Sequence, residues 1–173
     1  MTEMKILPVE RAIEWIRAWA ELDWPITWET AYTTRDKLGW TPNPHDPELF
    51  ATELTVGDRG GYITSYHETV GGAAIPLTSF NALGEHDDTW VANVWTAFEL
   101  YAKTLTELYG NGKQTGDRTG VVQTDWVLPT GVTISLIGSS EGIDADIDSP
   151  AITSIDQREL AYIEEYGEDY VND

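Results

Sequence analysis

Apolar positions between Asp87 and Leu136 follow first one period and then another. Val91, Val94, Phe98, Tyr101, Leu105 and Leu108 recur at intervals of three and four, which puts all six on one face of a helix. Asp87 or Asp88 supplies an N-cap, and Gly110 supplies the left-handed residue that closes the C-terminal end. The expected helix therefore runs from Asp88 to Tyr109. Further on, Val122, Trp126 and Leu128 precede Pro129-Thr130-Gly131, and then Val132, Ile134 and Leu136 alternate with Thr133 and Ser135. That alternation reads as a half-buried hairpin.

Upstream, Val9, Ile13, Ile16 and Ala20 keep helical spacing from Pro8 onward. Pro8 is acceptable in a first turn, where its missing N–H would be unpaired. Thr27 is placed to cap a second helix closed by Gly39. Pro42, Pro44 and Pro47 mark an extended connection. Three strands are then expected: Leu54 to Val56, Tyr62 to Tyr66 after a glycine-rich turn, and Ala73 to Leu77 after a turn at Gly71-Gly72, with Pro76 on an edge. A last strand over Ile143 to Asp148 points Ile143, Ala145 and Ile147 one way and Asp144, Asp146 and Asp148 the other. A short helix from Asp156 to Tyr166 follows, within an acidic C-terminal segment over 150–173 whose end is expected to fray. The fold class read from this order is α+β: two N-terminal helices and one long central helix packed on an antiparallel sheet of five to six strands, in helix-meander-helix-meander sequence. Val94, Phe98, Tyr101, Leu105, Trp126, Val132 and Ile134 are the expected core.

Composition adds three constraints. A chain of 173 residues fits a single domain that needs no staple. Cysteine is absent, which excludes a disulfide framework and thiolate chemistry. No apolar run approaches the roughly 20 residues of a membrane helix and no signal peptide is evident, so a cytoplasmic protein is expected. The net charge of -20, from 30 acidic and 10 basic side chains, repels nucleic acid. It favours a basic partner, general solubility or adaptation to salt. Trp15, Trp19 and Trp24 read as core aromatics, with an aromatic contact surface as the alternative.

Candidate chemistry fails on context. Gly138-Ser139-Ser140-Glu141-Gly142 has the G-x-S-x-G spacing, but a strand rather than a helix follows, and no histidine lies downstream of His86. A hairpin turn accounts for it. Asp144, Asp146 and Asp148 have the opening spacing of an EF-hand loop, yet Ser149 and Ile155 stand where glycine and the bidentate glutamate belong. His45-Asp46, His67-Glu68 and His86-Asp87 lack metal-binding spacing, since neighbours on a strand face opposite ways. Gly110 to Gly116 leaves a helix and enters a strand, the reverse of a phosphate loop, and reads as a flexible connection. No cofactor and no catalytic residue are expected, and an enzyme built from dispersed carboxylates is the rival reading.

Leu22-Asp23-Trp24, Gly39-Trp40, the helix end from Leu105 to Gly110, Asp125-Trp126 and Leu128-Pro129-Thr130-Gly131-Val132 resemble small actinobacterial proteins of the domain-of-unknown-function class encoded beside secreted polymorphic toxins. The resemblance runs from Leu22 to Leu136 and leaves the acidic stretch from Asp144 outside. It implies an immunity protein that covers a toxin domain's active site, or a secretion chaperone that holds an extended segment; both bind and do not catalyse. The expected contact surface for a basic partner is Asp144, Asp146 and Asp148, with Glu164, Glu165, Glu168 and Asp169. Three aspartates on one strand face repel one another and disfavour the strand. The alternative for that stretch is an edge strand charged against aggregation.

Overall fold

The computed structural model describes residues 5–56, 60–80 and 88–167. Helices α1 (Val9–Ala20) and α2 (Trp28–Lys37) lead, followed by strands β1 (Thr41–Pro42), β2 (Leu49–Ala51), β3 (Gly61–Tyr66) and β4 (Thr69–Pro76). Helix α3 (Asp88–Tyr109) separates these from β5 (Lys113–Gly116), β6 (Val122–Val127), β7 (Thr133–Ser139) and β8 (Gly142–Asp148), and α4 (Pro150–Tyr166) ends the described chain. All strand pairs are antiparallel, in one sheet ordered β1-β2-β3-β4-β8-β7-β6-β5. The α+β class holds, with an eight-stranded sheet in place of the expected five to six. The two meanders are one surface because β8 zips onto β4, pairing Gly72 with Asp148 and Pro76 with Asp144.

The strands missed by pattern are short, two to four residues each. β5 lies in the Gly110 to Gly116 stretch, and all four of its residues are exposed. An edge strand with no buried face leaves no alternation to detect. β1 and β2 flank the proline-rich connection. The strand expected over Leu54 to Val56 is replaced by a turn at Glu53-Leu54, in which Leu54 N donates to Thr52 Oγ1 at 3.1 Å. The expected turn at Gly71-Gly72 lies inside β4. The β3–β4 hairpin turns at His67-Glu68, with φ of +46° and +68°, the left-handed pair of a two-residue hairpin loop. Gly71 is the extra residue of a bulge, since Thr64 pairs with Gly72 and Ser65 with Val70. Pro76 ends an interior strand rather than lying on an edge.

One face of the sheet is covered by α1 and α3, which lie side by side across β4, β7 and β8. Every expected core residue is buried there: Val94, Phe98, Tyr101, Leu105, Trp126, Val132 and Ile134. Trp15 and Trp19 are fully buried too, which removes them from any contact surface. Trp40 stands edge-on to Trp15 at 5.1 Å, is stacked with Trp19 at 6.1 Å and stacks on Phe50 of β2 at 4.4 Å, joining α1 to the far strands. Trp24 is partly buried and donates through Nε1 to the Trp19 carbonyl at 2.9 Å. Leu108 departs from the expected apolar face of the long helix. The last turn of α3 lies along α1, where Tyr109 donates to Glu21 at 3.3 Å, and Leu108 stays 43% exposed in the groove between the two helices. Among the described residues no helix is long and apolar enough to cross a membrane.

Candidate binding face

The opposite face of the sheet carries the charge. Along β8, Ile143, Ala145 and Ile147 are fully buried against the helices, while Asp144, Asp146 and Asp148 turn to the other side and are half-buried. A slip of one residue would drive three aspartates into the core, so the hydrophobic pattern fixes the register. β8 is interior, hydrogen-bonded to β4 on one side and β7 on the other, which overturns the edge-strand alternative. Edge protection does not account for charges at the centre of a sheet.

Register brings further residues to the same face. Directly opposite residues in antiparallel strands share a face. One row therefore runs Lys113, Asp125, Ser135, Asp146, Ala74, Tyr62 and Leu49 across seven strands. A second row sets Val127, Thr133 and Asp148 beside Gly72. Leu49, Tyr62 and Val127, all more than 40% exposed, thus border the aspartates.

The aspartates are poorly compensated. Burial pushes Asp146 up to about 6, with Asp125 adding to it. Asp148 is also pushed up to about 6, by burial first and then by Asp146, Asp156 and Asp125. Asp125 accepts from Gln123 Nε2 at 3.0 Å. Among the described residues none of Asp125, Asp146 and Asp148 forms an ion pair. Burial raises the Tyr62 phenol, and Asp146, Asp144 and Asp148 raise it further, which places that ring within the field of all three. Such a face can hold positive charge, because a cation nearby favours the ionised carboxylates that burial disfavours.

The remaining expected contact residues separate. α4 starts at Pro150 rather than Asp156, because the Ser149 side chain accepts from Ile152 N at 3.3 Å and caps it. Its first turns are held to the sheet by a 2.7 Å hydrogen bond between Thr153 and Thr133. Thr153 is the helix's buried residue, and Glu164 and Glu165 are exposed in the last turns. They lie about 12 Å or more along the axis from Asp156, which does reach the field of Asp148. Glu168 and Asp169 lie outside the described residues. Asp125, Asp156 and Tyr62 are the members that sequence reasoning missed. Asp125 was detectable as the polar neighbour of a buried Trp126, but its place beside Asp146 depends on the pairing of three strands.

Of the motifs weighed in the sequence, Gly138 to Gly142 spans the β7–β8 turn, with Ser139 paired to Gly142. His67 and Glu68 form a turn rather than lying in a strand, and His86 falls outside the described residues. Among the described residues no group of three histidine, cysteine, aspartate or glutamate side chains converges as metal ligands would.

No curated protein matches this chain, and no solved structure does. The match to a family begins in α1 and runs through β8, past the Leu22 to Leu136 stretch of the local resemblance, and it stops before α4. Covering residues 10–149, it shows that the chain belongs to the family of unknown function DUF6301.

Proposed function

We propose that this protein is a cytoplasmic, non-enzymatic binding protein that docks a basic protein partner on the acidic face of its sheet, beside the first turns of α4. The partner class is a toxin domain whose cationic cleft the face covers, which makes the chain an immunity protein. The observation that carries this reading is the set of aspartates in the interior of the sheet, Asp125, Asp146 and Asp148, of which burial raises Asp146 and Asp148, and none of which forms an ion pair among the described residues. A carboxylate cluster of this kind weakens the free protein and gains from a cationic partner. Exposed Leu49, Tyr62 and Val127 around it supply the apolar contact that charge alone lacks.

Affinity capture from the native cytoplasm, with mass spectrometry of what is retained, tests the reading. A folded basic domain is expected. Its association rate should fall severalfold at low salt in the variant carrying Asp144→Asn, Asp146→Asn and Asp148→Asn, and the salt dependence should flatten. An unchanged rate would remove the sheet face from the interface. A second reading, a secretion chaperone, is favoured by β5: its four residues are exposed, and among the described residues only β6 pairs with it. Such an edge can add an extended strand from another chain. Capture of an unfolded segment of a secreted protein, rather than a folded domain, would select it.

A further inference from the structure

The acidic face, against whose Asp148 end α4 is held by the Thr133–Thr153 hydrogen bond, has shape as well as charge. Ser135 stands between Asp125 and Asp146 in the cross-strand row and faces the same side. It is 6% exposed, and its hydroxyl makes no hydrogen bond among the described residues. A short side chain between two longer ones leaves a notch, and an unpartnered hydroxyl lies at its floor. Asp125 and Asp146 are two strands apart, about 10 Å at the backbone for strands spaced about 4.8 Å. Asp148 lies two residues along β8, about 7 Å away by the rise of a strand.

These separations select the ligand. A bound divalent ion needs its oxygens within about 2.6 Å, and walls this far apart do not converge on an atom-sized cation. No group of three ligating side chains among the described residues does so either. An ammonium is a point charge that reaches one wall. A guanidinium is planar, with N–H donors on opposite edges, and bridges two carboxylates through N–H···O bonds of about 2.9 Å while leaving a donor for the serine oxygen. Beyond Asp146 the row continues through small Ala74 to Tyr62, 48% exposed, whose ring is open to an arriving side chain.

We propose that the notch over Ser135, walled by Asp125 and Asp146 and flanked by Asp148, receives a single arginine side chain from the protein partner. This rests on the sheet face being the docking surface. The Lys113 side chain shares the row beside Asp125 at the sheet edge, and it forms no ion pair there among the described residues.

The experiment uses the full chain and three probes: N-acetyl-arginine methylamide, N-acetyl-lysine methylamide and calcium chloride, titrated by NMR with the aspartate carboxyl carbons and backbone amides as readouts. The arginine probe should move Ser135, Asp125 and Asp146 saturably, at least about fivefold more tightly than the lysine probe, because only it spans the walls. Calcium should produce no saturable change at these positions. Ser135→Val fills the notch without altering charge and should abolish the preference for arginine. Should that variant not fold, Asp125→Asn removes one wall at constant volume and should do the same. Equal binding of the two organic probes, saturation by calcium, or a preference that survives these changes would overturn the notch. The two proposals fail separately. A captured basic domain that binds the Ser135→Val variant normally, but not the triple asparagine variant, leaves the docking face standing and removes the notch. Arginine selectivity in a protein that captures no basic partner does the reverse.

Discussion

A Cβ on Gly138 would stand 2.6 Å from Phe98 Cδ2 and 3.2 Å from Trp95 Cζ3, so β7 carries a glycine where α3 lays its rings on the sheet. Phe98→Ala should cost about 3–5 kcal/mol, the transfer of the ring plus its cavity. Gly138→Ala should cost about 1–3 kcal/mol by overpacking against the same ring. Together they should cost less than their sum, because the new methyl enters the space the ring vacates. Urea denaturation of the two single variants and the double variant measures the coupling. On the other face, Asp146 and Asp148 titrate near 6 in the folded chain against about 3.9 when unfolded. The folded state therefore holds protons that the unfolded state has released. Their contribution to stability is complete below about pH 4 and is lost as pH rises through about 6. Asp146→Asn should raise the unfolding free energy at pH 7.5 by about 2 kcal/mol and leave it nearly unchanged at pH 4, as thermal melts at the two pH values would show. An equal effect at both values would show that the carboxyl is not raised.

Single elements show where sequence was sufficient. α3 was legible to the residue, from Asp88 to Tyr109, because its apolar stripe has one period and its glycine stop has φ of +89°. The Thr27 cap and Gly39 stop of α2 were equally legible, the cap accepting from Thr30 N at 3.1 Å. The alternation on β8 and its pairing with β7 were read correctly, but its pairing with β4 was not, since that depends on contacts across about 70 residues of chain. Turn chemistry misled at β4. Gly71-Gly72 resembles a turn, but glycine is needed there because a Cβ on Gly72 would lie 1.9 Å from the Ile147 carbonyl oxygen. Gly72→Ala should therefore open the β4–β8 seam and cost more than about 3 kcal/mol. Gly39→Ala meets nothing within 4 Å and strains only its φ of +79°, so about 1 kcal/mol is expected. Chemical denaturation compares the two, and equal costs would show that the seam is not the constraint.

At the scale of the molecule, a net charge of -20 surrounds one continuous core. Ten basic side chains cannot neutralise thirty acidic ones, so self-repulsion opposes the compact state. Salt at 0.5 M reduces the screening length to a few ångströms, and it should raise the melting temperature by about 3 °C, equivalent to about 1 kcal/mol for a chain of this size. A melting temperature that does not move between 20 mM and 0.5 M salt would mean the charges are already compensated. The seam between β4 and β8 has a separate bearing on how the protein is made. Gly72 waits for Asp148, so on the ribosome β4 emerges long before the strand that completes it. Until then the first meander presents an open, apolar edge headed by Ile75 and Ala73. The sheet closes at its middle, and it does so last. Completion is thus a long-range step of the slow kind, and a crowd of copies that still lack β8 is where this fold would be most exposed to mispairing.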